Sequence, residues 1–234
     1  MTTPRGRTAT VRARPGTDRL LPLGRAEDGA WLAERAARAV LCAAARTVDG
    51  VDPGPLRIAL ADPDTAGSPV FPPPPAALPP GPLRVAAEFA AYGDRPLREL
   101  AEGLRAALST ASWHGLGLVV EEIDLRVTAL LDVAPAPGAT PSGPPGVAPQ
   151  DDLGATVAAV PGVARLTGTL GVPVRVGRTG TRVELATAAG HHPLVVARAV
   201  RGAITPLLPA PAPVTVLITG VADPGIPARH APGT

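Results

Sequence analysis

The chain has 234 residues, 45% of them apolar but only 2% aromatic, and its 22 basic and 20 acidic residues leave a net charge of +2. So small a net charge excludes a chain-wide polyanion binder. The absence of lysine excludes a G-x-x-x-x-G-K-[ST] phosphate loop. The length admits two small domains, and the apolar fraction supports a core built mainly of Ala, Val and Leu.

Residues 1–22 read as a disordered, solvated, Arg-rich tail, with Arg5, Arg7, Arg12 and Arg14 as candidate contacts to an anionic surface. No run reaches the roughly 18 apolar residues of a membrane span, and the start lacks the apolar stretch of a signal peptide. A soluble, cytoplasmic protein without a transmembrane segment is expected. Residues 28–48, DGAWLAERAARAVLCAAARTV, place Leu32, Ala36, Val40, Ala43 and Ala44 at helical spacing behind an Asp28 cap. The single Cys42 has no partner for an internal disulfide and reads as a small buried hydrophobe. PLRIALA (55–61) alternates as a strand. Residues 62–82 carry nine prolines and read as a long hairpin insert. Within it VFPPPP (70–75) has the form that aromatic-lined grooves bind, making Phe71, Pro72 and Pro73 candidate partner contacts.

A second strand is expected at 82–92, followed by a helix from Pro96 with Leu97, Leu100, Ala101, Leu104 and Leu108 on one side. A third strand at 118–131 places Ile123, Leu125 and Val127 on one face and Glu122, Asp124 and Arg126 on the other. After a Pro/Gly linker at 133–150, the same order recurs in shorter form. It comprises a helix stub (151–160), a hairpin (171–187), a helix from Pro193 and a closing strand (212–221); a second tail follows at 224–234. GDRPLRELAEGLRAAL (93–108) and GHHPLVVARAVRGAI (190–204) are the clearest echo. The expected fold is α+β. It consists of two similar small domains, 23–132 and 151–223, each a three-stranded sheet with helices on one face. The short first helix of the second domain would leave apolar surface at Leu194, Val196 and Val200, a candidate docking patch for the first domain or a partner.

VPGVARLTG, GVPVRVGRTGTRVEL, GHHPLVVARAVRGAI and VTVLITGV, in that order, resemble the alkaline shock protein family, bacterial envelope-stress proteins of many Gram-positive organisms. AAARTVDGV, LRVAAEFAAYGDRPLRELAEGLRAAL and LVVEEIDLRV are similar, so the resemblance spans most of 28–132 and 151–221. It implies a non-enzymatic scaffold that self-associates and binds other proteins, in some members a membrane-anchored one, at the inner side of the envelope. The family supplies no catalytic or ligand-binding residues to transfer.

The residues themselves offer little chemistry. His191 and His192 are adjacent, but zinc needs three or four ligands, and no Cys or further His lies near them in sequence. The acids sit on strand faces or in turns, and no serine occupies a G-x-S-x-G elbow. The expectation is no enzyme, no cofactor and no metal. The alternative is weak RNA or DNA binding through the N-terminal arginines and a KH-like small domain. GRTG (177–180) satisfies G-x-x-G, but it falls between strands, and the chain lacks aromatics for base stacking.

Overall fold

The computed structural model describes residues 18–134, 143–208 and 212–222. It is a mixed α/β structure with four α-helices and two sheets. In chain order the elements are β1 (Leu20–Leu23), β2 (Ala30–Ala33), α1 (Glu34–Ala45), β3 (Val51–Leu60), β4 (Leu83–Tyr92), α2 (Leu97–Thr110), β5 (Val120–Leu131), α3 (Asp152–Ala158), β6 (Val163–Leu166), β7 (Val174–Gly177), β8 (Gly180–Thr187), α4 (Pro193–Ile204) and β9 (Val214–Val221).

One sheet has three strands in the order β3-β4-β5, with β3 antiparallel and β5 parallel to the central β4. Strict alternation in β4 sends Leu83, Val85, Ala87, Phe89 and Ala91 inward, where Phe89 and Val85 are fully buried. Leu100, Leu104 and Leu108, one helical turn apart, give α2 its buried stripe. Arg84, Glu88, Glu122, Asp124 and Arg126 stand on the opposite face. There Arg84 pairs with Asp124 and with Glu122 at 3.4 Å, and Arg126 donates to Glu88 at 2.7 Å.

The other sheet departs from expectation. It holds six strands, ordered β1-β2-β9-β8-β6 with β7 also on β8, where three were anticipated. Two of the extra strands come from the N-terminus. Ala30–Leu32 pair parallel with Val216–Ile218, and β1 folds back on β2. The helix expected from Asp28 therefore starts only at Glu34, and residues 20–22 belong to a strand, not to the tail. Trp31, Leu32 and Ala33 are buried here on both sides, so the segment shows no period-2 alternation to distinguish it from helix. The buried face of α1 also shifts: Ala37, Leu41 and Ala45 face inward, while Ala43 is exposed. The remaining addition is β6, which shares one edge of β8 with β7. Elsewhere the expected elements stand where the patterns put them, including the hairpin turn at 177–180, α3 capped by the Asp151 carboxylate on Gly154 N at 2.7 Å, and the Pro-started α4.

Candidate interaction surface

Besides the β2–β9 pairing, two side-chain junctions tie the first half of the chain to the second. At one, Asp28 ends a single 3-10 turn, Ala26–Asp28, and its carboxylate accepts from Arg25 N at 2.7 Å and from Arg198 Nε and Nη2 at 2.7 and 3.0 Å. Desolvation pushes this carboxyl upward, but the Arg198 guanidinium and the Arg25 amide outweigh it and hold it below the ordinary carboxylate value. One turn along α4, Arg201 donates to the Glu27 carbonyl at 2.8 Å and lies 5.0 Å from the Phe71 ring centroid. Gly29 closes the turn at φ 52°, and a Cβ there would run into both Phe71 and Arg201. At the other junction, a π-helical turn (Ala111–Leu116) ends at Gly117, over which His192 and Leu194 pack; His192 Nε2 lies 3.3 Å from the Trp113 carbonyl.

These contacts relocate the residues proposed from sequence. Val196 and Val200 are buried at 2% and 0% exposure, so they are core and not an open docking patch. Leu194 is half-buried against Gly24 and Gly117, so it packs on the first half of the chain, one of the two occupants expected for it. Phe71 turns inward onto Arg201, while Pro72 and Pro73 remain exposed. Arg5, Arg7, Arg12 and Arg14 lie outside the described residues. His191 and His192 do not converge with other ligands, and among the described residues no three His, Cys, Asp or Glu side chains cluster as a metal site. Nor, among the described residues, is any helix long and apolar enough to cross a membrane.

The polar group that sequence reading missed is Glu184, fully buried in β8. Its Oε2 accepts from Leu170 N at 2.9 Å, and Arg182 Nη2 sits 3.2 Å from Oε1. Burial pushes this carboxyl above its ordinary value. Its place in V-E-L within an alternating strand predicts a solvent-facing acid; only the 167–173 loop folding over that face encloses it. The small cavity of about 20 Å³ between Gln150, Asp151, Leu166 and Pro173 has room for little more than a water. A groove of about 310 Å³ opens elsewhere, at the end of β5, lined by Gly93, Asp94, Arg95, Leu97, Leu130 and Asp132.

Compared with models of protein families, with curated proteins and with solved structures, the chain matches nothing. The surface must therefore be read from its own geometry. Two exposed apolar side chains line that groove, Leu130 at 71% and Leu97 at 42% exposure, and Val127, exposed at 38%, lies further back along β5. Polar groups of opposite charge line the adjoining open face of the three-stranded sheet.

Proposed function

We propose that this protein is a non-enzymatic scaffold that acts through protein–protein contacts, as the resemblance to alkaline shock proteins implies. The observation that carries this reading is the surface around β5. Exposed Leu97 and Leu130 line a shallow groove at the end of a sheet that carries paired charges, which suits a macromolecular contact better than the enclosure of a small substrate. The strand senses add support for an internal duplication. In both halves an antiparallel pair (β3-β4, then β6/β7-β8) leads through a helix to a strand parallel to its second member (β5, then β9). On this reading the two halves are copies of one unit, and β2 and α4 lock them together. A cytoplasmic position beside the envelope, reached through a membrane-anchored partner, belongs to the same proposal.

The test is recovery of the full-length chain from native lysate at low and high salt, with and without nuclease. A defined set of envelope proteins retained under all conditions supports the scaffold. Loss of the catch on nuclease treatment would instead assign the function to the N-terminal arginines and nucleic acid.

A further inference from the structure

We infer that β5 is a dimerisation strand, which pairs antiparallel with β5 of a second copy about a two-fold axis at Leu125 and joins the two three-stranded sheets into one of six. This rests on the scaffold reading and names a partner for it, a second copy of the chain.

The argument begins with sheet edges, because an unpaired edge presents a row of free backbone N–H and C=O groups. Most edges of this protein are covered or blunted. Beyond β1, Leu20 exchanges backbone bonds with residues 76–78: its N–H donates to Ala76 O at 3.1 Å, and its carbonyl accepts from Leu78 N at 2.8 Å. Beyond β6, Val147 N donates to Leu166 O at 2.9 Å. The outer strand β3 carries Pro53 and Pro55 and a register shift between Pro53 and Leu56, features that disrupt an edge ladder. The short β7 has only four residues. In contrast β5 runs for 12 residues with no proline, and no described strand lies on its outer side. The corresponding strand of the other sheet, β9, has that same side occupied by β2, in parallel register.

The sequence of β5 also complements itself. With Leu125 opposite its own counterpart, Asp124 of each copy faces Arg126 of the other, and Ile123 of each faces Val127 of the other. Charged residues then share the open face, and the apolar ones share the opposite face, where Ile123 and Leu125 are half-buried and exposed Val127 would gain cover from the second copy. A slip of one residue would set charges against apolar side chains. A slip of two would set Asp124 opposite Asp124, or Arg126 opposite Arg126. The stretch Glu122–Val127 lies between the two register shifts of the β4–β5 pairing, so it is regular where the pairing needs it. Arg126, with 73% of its side chain exposed, already projects from the sheet.

The experiment measures the mass of the full chain by light scattering and sedimentation, from about 1 to about 100 µM, because association follows mass action. The expected mass is twice 23.5 kDa. Arg126→Asp alone and Asp124→Arg alone each place like charges opposite one another twice in the dimer, and each should weaken association roughly tenfold or more. An equimolar mixture of the two variants restores opposite charges at every facing position, and should dimerise again. Any internal repulsion with Arg84 or Glu88 is unchanged by mixing, so rescue reports the intermolecular register. If either variant fails to fold, Leu125→Cys in a Cys42→Ser chain gives the same answer, through a disulfide-linked dimer under mild oxidation. A monomeric wild type overturns the inference, as does a dimer indifferent to these changes or a mixture of folded variants that stays monomeric. A monomer that still captures envelope proteins after nuclease would leave the scaffold reading standing. A β5 dimer whose catch vanishes with nuclease would overturn that reading alone.

Discussion

Breaking the Asp28–Arg198 contact tests how the N-terminal strands are held to the second half. Asp28 is nearly buried, and its replacement by alanine removes the acceptor for Arg25 N, a cap-like bond contributing about 1 kcal/mol. The ion pair adds less, because the Arg198 side chain is 54% exposed and solvent screens it; about 0.5–1 kcal/mol is reasonable. Asp28→Ala should therefore destabilise by about 2 kcal/mol, a fall in Tm of roughly 4–8 °C for a chain of this size. Asp28→Asn retains an acceptor but no charge, and should lose about half as much. In a double-mutant cycle with Arg198→Ala, urea melts followed by circular dichroism should give a coupling of about 0.5–1 kcal/mol that shrinks in high salt. The sign with pH follows from the depressed carboxyl. Its stabilisation is present above the ordinary value of 3.8 and lost as pH falls through the lower folded value, so wild type and Asp28→Asn should converge only in that acid range. An Asp28→Ala variant with wild-type stability, or a coupling of zero, would refute the claim that this contact fastens the two halves.

Three further outcomes are expected. Glu184 has a raised folded value, so the stability it contributes is fully present below its ordinary value of 4.5 and is lost as pH rises through the folded value. Glu184→Gln should thus show a higher urea midpoint than wild type at pH 8, with the gap closing toward pH 4.5. Val200→Asp forces a carboxylate into a fully buried position, which costs several kcal/mol, and cooperative thermal unfolding should vanish; a folded variant that only loses a binding partner would contradict the core placement. Phe71→Ala removes the ring beneath Arg201, worth about 0.5–1 kcal/mol as a cation–π contact. Faster hydrogen exchange or proteolysis confined to residues 62–82 would follow, whereas an unchanged loop would show that Phe71 does not anchor it.

The candidate site was legible in part. The alternation of Ile123, Leu125 and Val127 with Glu122, Asp124 and Arg126 announced a strand with one charged face, and that face is where the charge pairs form. That β5 lies at an edge was not legible, because edge and centre are properties of strand order and the same alternating pattern suits either. The partner contacts expected on α4 went the other way. Val196 and Val200 have the spacing of any buried helical stripe, and nothing local tells a stripe covered by its own chain from one left open.

Local pattern alone determined the elements whose residues report on their immediate surroundings: the alternating β4, the leucine stripe of α2, the tight turn at 177–180 and the proline that starts α4. Each is dictated by backbone sterics and by a one-sided division between core and solvent, both of which act over a few residues. Tertiary structure decided the rest. Ala30–Ala33 become a strand because the edge of β9 is there to receive them, and Glu184 is enclosed because the 167–173 loop folds back over its face. Such choices depend on partners outside the local segment, and a buried apolar segment is equally content as helix or strand until one of those partners is in place.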